Sequence, residues 1–352
     1  MANNNSTLHD AKTAKQDEFY TRLEDINAEM RFYAEHFNGK TVFCNCDDPL
    51  VSNFVLYFGL NFHRLGLKRL IAICFRNEDP TRFSFGSKKN AHGTVLDYYG
   101  EIGAEEVADD FIEKLKPYCK PMKGNGDFRS EESLSYLEQC DIICSNPPFS
   151  LFREYIHTLE EYGKKYIVLG NMNAITYKEI FPLIKGNKLW IGGTGIHDMS
   201  FIVPNDYEMH STRSWRDEKG VNWRSLGNVC WFTNLDHKKR HEGVYLIKKY
   251  DSSIYPKYDN YDAIEVSKVA DIPMGYDGVM GVPITFLDKY NPEQFEIVGQ
   301  ASGNSAVNNF AVEANYRKHP NDRGGCGIVN GERVYSRILI RRRPEWNQDE
   351  HF

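Results

Sequence analysis

From Lys40 onward, short apolar runs alternate with helix-length amphipathic stretches. That pattern predicts a mostly parallel sheet covered by helices, an α/β fold. Residues 41–46 are β-rich and stop at Asn45-Cys46-Asp47-Asp48-Pro49, where the proline forces a turn. A second run, 67–75, stops at Arg76-Asn77-Glu78, and the stretch 52–65 between the two has the length of a helix. Residues 141–144 make a third run, halted by Asn146-Pro147-Pro148, and 165–169 a fourth, halted by Gly170-Asn171, with a helix predicted over 151–162. The segments 188–191, 201–203, 229–233 and 243–247 are strand-like without convincing helices between them, so the sheet is expected to finish in antiparallel strands.

After about residue 240 the texture changes to Tyr, Pro, Gly and Asn punctuating short strands, the last of them at 333–340. Two domains are therefore expected, residues 1–240 and 241–352, which suits a 352-residue chain at about 150 residues per domain. The polar stretch 1–16 reads as an arm that orders only where it touches something. With 41% hydrophobic and 26% charged residues, wholesale disorder is excluded. The longest apolar runs, 54–60 and 70–75, fall short of the roughly 20 residues a bilayer span needs. The polar opening lacks the apolar core of a secretory signal, which points to the cytoplasm and away from membranes. The eight cysteines include no C-x-x-C pair and no histidines spaced to complete a zinc site, so no metal is expected and the thiols are read as reduced and mostly buried.

Charge changes the picture through its distribution. The formal total of -6 argues mildly against a polyanionic partner. Residues 101–141, however, hold eleven Asp/Glu against five Lys/Arg, whereas 315–343 hold eight Lys/Arg against two acids. Such asymmetry is what a nucleic-acid binder shows. Arg213, Trp215, Arg216, Trp223 and Arg224 also interleave cations with aromatics in a polar stretch, either a DNA contact or a solvated face. Lys238-Lys239-Arg240 is either a phosphate contact or a soluble corner.

The sharpest chemical signal is Ser145-Asn146-Pro147-Pro148-Phe149, set directly after a buried-strand pattern and before a helix. In open α/β sheets, ligands bind beyond the carboxyl ends of strands. Two consecutive prolines remove two donors and stiffen the loop, leaving carbonyl acceptors that could grip an amino group. Methylation of an aromatic amine wants such a grip. The Asn146 side-chain oxygen and the Pro147 carbonyl would hold both amino hydrogens while the nitrogen becomes more tetrahedral. Phe149 offers a ring on which an extruded base can stack, and a base inside a duplex must be extruded to react. The plainer alternative is a strand-to-helix turn with Asn146 as its cap. Asp127 and Phe128, at a loop tip in Gly126-Asp127-Phe128-Arg129, could bond and cover an adenine, or Asp127 could simply cap the helix that follows. Acids at Asn45 to Pro49 could receive the amino group of a methionine moiety. Phe19, Tyr20 and Thr21 could reach the same ligand or merely cap a helix, and Glu78 is placed to bind ribose hydroxyls.

These segments, together with 227–234 and 281–292, occur in an order that resembles the EcoRI-type adenine-specific DNA methyltransferases over about residues 15–342. The resemblance implies a Rossmann-like S-adenosylmethionine-dependent methyltransferase fold with a mostly parallel sheet. A carboxyl-terminal target-recognition domain rich in short strands would follow it. The implied reaction is transfer of a methyl group from S-adenosylmethionine to the exocyclic N6 amino group of adenine in double-stranded DNA, with base flipping. Asn146, Pro147, Pro148 and Phe149 would take the catalytic positions. By that resemblance Asp127 and Phe128 would hold the cofactor's adenine and Tyr20 and Thr21 its far side; the reading of the residues themselves adds Phe19, Asn45, Asp47, Asp48 and Glu78. Arg213, Arg216, Arg224, Arg337, Arg341 and Arg342 would meet DNA. The enzyme would act as a monomer, with room for a restriction endonuclease that shares its site without binding it. One departure stands out, because the Gly-containing loop usual after the first strand of methyltransferases is replaced here by residues 45–49. Asn-Pro-Pro-aromatic loops also resemble those of enzymes acting on RNA adenine or a protein glutamine amide. A catalytically silent DNA-binding protein is the alternative of another class.

Overall fold

The computed structural model describes residues 20–75, 92–103, 108–203, 209 and 212–346. The chain divides into two compact units, residues 1–172 with 194–235, and residues 173–193 with 236–352. No shift in composition marks the segment 173–193, which groups with the later residues.

The first unit opens with helix α1 (Leu23–Met30) and strand β1 (Thr41–Cys44). Helices α2 (Asn53–Leu60) and α3 (Phe62–Leu65) then lead to β2 (Arg69–Cys74). The expected single helix over 52–65 is broken at Asn61, whose side-chain amide donates to the Tyr57 carbonyl at 2.8 Å while its backbone leaves the helical region at φ -99°. Ser52 caps α2 by accepting from Phe54 N at 3.1 Å. Next come β3 (Thr94–Tyr98), helix α4 (Ala108–Leu115) and β4 (Cys119–Pro121), which the run of apolar residues did not single out. Helix α5 (Glu131–Gln139), β5 (Ile142–Ser145), helix α6 (Phe152–Glu161) and β6 (Lys165–Asn171) follow as expected. Strand β7 (Trp190–Ile191) belongs to the second unit, and β8 (His197–Ile202), β9 (Ser214–Arg216) and β10 (Asn222–Thr233) complete the first.

Strands β2, β1, β5 and β6 lie side by side, all parallel. Antiparallel β3 and β4 extend one edge, and β10, with β8 and β9 paired to it, extends the other. The sheet is thus α/β and largely parallel at its centre. Its central strands read as continuous apolar runs because both faces are covered. Val42, Leu70, Ala72, Ile142, Ile167 and Leu169 pack in one core with α2 residues, while the alternating Phe43, Ile71, Ile143 and Val168 are equally buried. Helix α6 buries Phe152, Tyr155, Ile156 and Leu159, an i, i+3, i+4, i+7 stripe.

In the second unit, β11 (Lys248–Lys249) pairs in parallel with β13 (Pro273–Met274). A four-stranded sheet runs in the order β12 (Ala263–Glu265), β14 (Val279–Pro283), β18 (Arg337–Arg342), β15 (Phe295–Ala301). The strand expected at 243–247 is irregular chain ahead of β11. The strand expected at 333–340 splits, because Asn330 and Gly331 take positive φ (51° and 78°) and fold β16 (Ile328–Val329) onto β17 (Glu332–Arg333) as a tight hairpin. Arg333 belongs to that hairpin, and β18 starts afresh at Arg337. Gly281 is required on β14, since a Cβ there would meet the Tyr258 hydroxyl at 2.2 Å. That hydroxyl bonds Glu265, which pairs with Arg337 at 2.6 Å, the two side chains 5% and 11% exposed. No described helix is long and apolar enough to cross a membrane.

Removing one partner of a buried pair leaves the other charge without water or counter-charge. Glu265→Ala is therefore expected to cost about 3 to 5 kcal/mol, read as a lower denaturant midpoint. An unchanged midpoint would show that the Arg337 pair does not hold this sheet.

Candidate active site

Strand β5 sits between β1 and β6, and ends at Ser145. Asn146, Pro147 and Pro148 leave the sheet there, and Phe149–Leu151 forms one 3₁₀ turn before α6. The Pro148 carbonyl closes that turn by accepting from Leu151 N at 3.0 Å, whereas the Pro147 carbonyl has no hydrogen bond among the described residues. Pro147 is buried; Asn146, Pro148 and Phe149 are half-buried. The Phe149 ring packs on the edge of the central core. The turn alternative is thus met by Pro148, and Asn146 is not the cap of α6, whose N-cap position is Leu151.

Beneath the loop lies a buried polar network that joins β5 to β1. The Ser145 hydroxyl donates to Asp47 Oδ2 at 2.5 Å and accepts from Cys46 N at 3.1 Å. Asp47 Oδ1 accepts from the Ser52 hydroxyl at 2.7 Å, and the Asn146 backbone N–H adds to the same carboxylate. Burial raises the Asp47 carboxyl to about 6, against the pull of the Ser145, Ser52 and Asn146 bonds. The Tyr155 hydroxyl, wholly inside, donates to Asn45 Oδ1. Phe128 meets the Tyr155 ring edge-on at 5.2 Å.

Thr21 comes to this end of the sheet through its carbonyl, which accepts from Asn53 Nδ2 at 2.7 Å at the start of α2. Its hydroxyl is buried with no hydrogen-bond partner among the described residues. Tyr20 bridges to Ile202. Gly126, at φ 81°, presses on the end of β2, where a Cβ would lie 2.3 Å from the Cys74 carbonyl. Asp48 accepts from Leu50 N at 2.9 Å and from the Cys74 thiol at 3.4 Å. Phe19 and Glu78 lie outside the described residues.

Several expectations are corrected. Asp47 was placed to receive a ligand amine, but both its oxygens are taken inside the chain, and Asn45 Oδ1 is taken by Tyr155. Asp127 neither caps α5, a task done by Ser130 accepting from Ser133 N at 3.2 Å, nor stands open. Its carboxylate holds Arg129 at 2.6 and 2.9 Å, and those bonds keep it below the usual carboxylate range. Arg337 is consumed by Glu265 and is no phosphate contact. Arg341 and Arg342 lie 3.4 and 3.3 Å from Glu296 and Asp277, more exposed and only loosely paired. Arg216 and Arg224 bond Asn222 and Ser214, and Arg213 lies beside Asp198 and Gly227. Lys238-Lys239-Arg240 is a structural corner, with Arg240 3.9 Å over Trp190 and Lys239 donating to the Gly193 carbonyl. Ser145, Ser52 and Tyr155 were missed. The signal was a hydroxyl inside the apolar stripe of α6 and another at the last position of a buried strand.

Residues 7–343 match the family described as adenine-specific methyltransferase EcoRI. The chain belongs to this family. It is 47% identical over 348 residues to the Type II methyltransferase M.EcoRI of Escherichia coli, covering 97% of this chain and 98% of that one. The Type II methyltransferases M.MgeORF184P of Mycoplasma genitalium and M.MpnI of Mycoplasma pneumoniae are each 38% identical, over 94% and 95% of this chain and 97% of theirs. Within this methyltransferase the Asn146 loop stands at the centre of the parallel strands, propped by Asp47.

Because Asp47 holds its proton more tightly folded than unfolded, its contribution to stability is full below the unfolded pKa near 4 and is lost as pH rises through about 6. Relative to Asp47→Asn, the parent should lose roughly 3 kcal/mol of unfolding free energy across that window. Parallel stability–pH curves for the two proteins would refute the buried strut.

Proposed function

We propose that this adenine-specific methyltransferase transfers a methyl group from S-adenosylmethionine to the N6 amino group of adenine in a double-stranded DNA recognition sequence. One observation carries the proposal: a double-proline loop leaves the central strand with its turn bond made by Pro148 and its Pro147 carbonyl unused among the described residues.

The amino nitrogen of adenine donates its lone pair into the ring and is a poor nucleophile. Acceptance of its two hydrogens by the Asn146 side-chain oxygen and the Pro147 carbonyl favours a more tetrahedral nitrogen. The loop is stiff by virtue of its prolines, and the Ser145 and Asp47 bonds fix its root, so the acceptors are positioned before the base arrives. No strong base is required, since the methylated ammonium is far more acidic than the amine and sheds its proton afterwards. Phe149 would stack the adenine, whose removal from the duplex is required for access.

A methyl bound to a sulfonium is what the cofactor supplies. The residues present fit it in part. The Thr21 hydroxyl is a buried donor and acceptor lacking a partner among the described residues, at the edge where β1 and β5 end. Phe128 offers an apolar wall there, while Asp127 could serve the adenine ring only through lone pairs left over from Arg129. Asp47 and Asn45 act on the cofactor's pocket indirectly, as supports of the loop. The first unit would carry catalysis, and the second, with Arg341 and Arg342 among its exposed cations, would help read the target as a monomer. The adenine-specific family disfavours a glutamine acceptor.

Expression in a methylation-free bacterium, with genome-wide mapping of modified adenines, tests reaction, acceptor and recognition sequence together. N6-methyladenine confined to one short sequence is the expected result, and an unmodified genome would defeat the proposal. Asn146→Ala should lower turnover at least about a hundredfold, on the scale of losing one preorganised polar contact, with cofactor and DNA still bound. Undiminished turnover would remove Asn146 from the chemistry. DNA affinity should fall steeply with salt as phosphate contacts release counterions, and a flat response would take the arginines out of the interface.

A further inference from the structure

Strand β10 runs antiparallel to β6, with Val229 opposite Asn171, the last residue of β6. The preceding residues of β10, from Asn222, therefore overhang the carboxyl edge of the parallel strands, the edge that carries the Asn146 loop. A register irregularity between Leu226 and Val229 lies at the base of this overhang, and β8 pairs with it along residues 223–226. The overhang ends in a hairpin, with Ser214, Trp215 and Arg216 opposite Arg224, Trp223 and Asn222. The two indoles form a directly opposed pair on one face of the ribbon and stack at 6.2 Å with an angle of 8°. The inner ring is fixed, since Trp223 Nε1 donates to Asp217 Oδ2 at 2.9 Å, and Asp217 Oδ1 accepts from the Lys219 and Val221 backbones at 2.9 Å. The outer ring, Trp215, is 43% exposed on the edge strand. Arg216 and Arg224 occupy the other face by strand alternation; Arg224 lies opposite the fully buried Phe201 with its Nε buried and bonds Ser214, whereas Arg216 is exposed and donates to Asn222.

A stacked pair of aromatic rings, the inner one fixed and the outer one exposed on an edge strand beside the exposed Arg216, is suited to a nucleobase. If adenine is extruded onto Phe149, as proposed above, the duplex beside the Asn146 loop is left with an unpaired partner base and a gap in the stack. On that basis we propose that the edge strand of the hairpin 214–224 meets the DNA at the target and that Trp215 stacks the base orphaned by extrusion, with the exposed Arg216 beside it toward the phosphates. Trp215 is then a positioning residue: it stabilises the opened duplex and leaves the amine chemistry to the Asn146 loop.

The test couples residue to base. Trp215→Leu keeps an apolar side chain without the ring, and Trp215→Phe keeps a ring; unfolding curves check that each is folded. The DNA is a duplex with the sequence found by methylation mapping, prepared intact or with an abasic site in place of the thymine opposite the target. Easier extrusion from the abasic duplex affects parent and variant alike and cancels in their ratio. Trp215→Leu should weaken binding about tenfold on the intact duplex, the scale of one base–aromatic stack. On the abasic duplex it should bind like the parent, and Trp215→Phe should recover most of the loss on the intact one. Equal loss on both duplexes, or none on either, would overturn the proposal. Methyl transfer by the parent on the intact duplex is measured first. Failure there defeats the adenine methyltransferase reading and this inference with it, whereas success followed by uncoupled binding defeats the stacking role alone.

Discussion

Asp47 receives hydrogen bonds from Ser52, from Ser145 and from the Asn146 backbone while only 7% exposed. A carboxyl group in such a place is costly to ionise, and it is tolerated only because its oxygens are satisfied. The consequence is mechanical. Two strands that meet only after about a hundred residues of chain are tied at their carboxyl ends, and the Asn146 loop inherits its position from that tie. Tyr155 and Asn45 add a second hydrogen bond across the same junction. The absence of the glycine-containing loop usual after the first strand finds its physical counterpart here, since residues 45–49 are spent on building the platform.

The second unit solves a similar problem with opposite chemistry. Its sheet is small, and Glu265 with Arg337 and Tyr258 places a charged pair where a larger domain would place apolar bulk. Both devices use buried polarity to fix one arrangement, which makes each side chain's partner decisive for its role. An arginine in a basic-looking strand is thus a phosphate contact or a structural ion according to whether a carboxylate lies opposite.

The overhanging part of β10 gives the first unit reach. Antiparallel pairing onto a parallel sheet necessarily sends the strand's leading half beyond the carboxyl edge. The sheet edge that results, β9 on β10, carries the stacked indoles beyond the ends of the parallel strands. Tyr20 is drawn to the same region by its bridge to Ile202.

Much of this was legible in the sequence. Alternating apolar runs marked the four parallel strands, because strands covered on both faces carry no polar positions to obscure them. Asn146 to Phe149 were legible as a stiff turn at the end of a buried strand, since prolines stiffen a loop whatever surrounds it. Strand β4 was passed over, being three residues long with two exposed, and β3, though mostly buried, because Thr94 and Asp97 break up its apolar run. The roles of Asp47, Asp127 and Arg337 were decided only by tertiary structure. A titratable side chain acts through the one or two groups within about 3 Å of it, and those groups came from positions 98, 2 and 72 residues away along the chain. Sequence fixed which groups the protein owns, and folding alone determined which of them were left for a ligand.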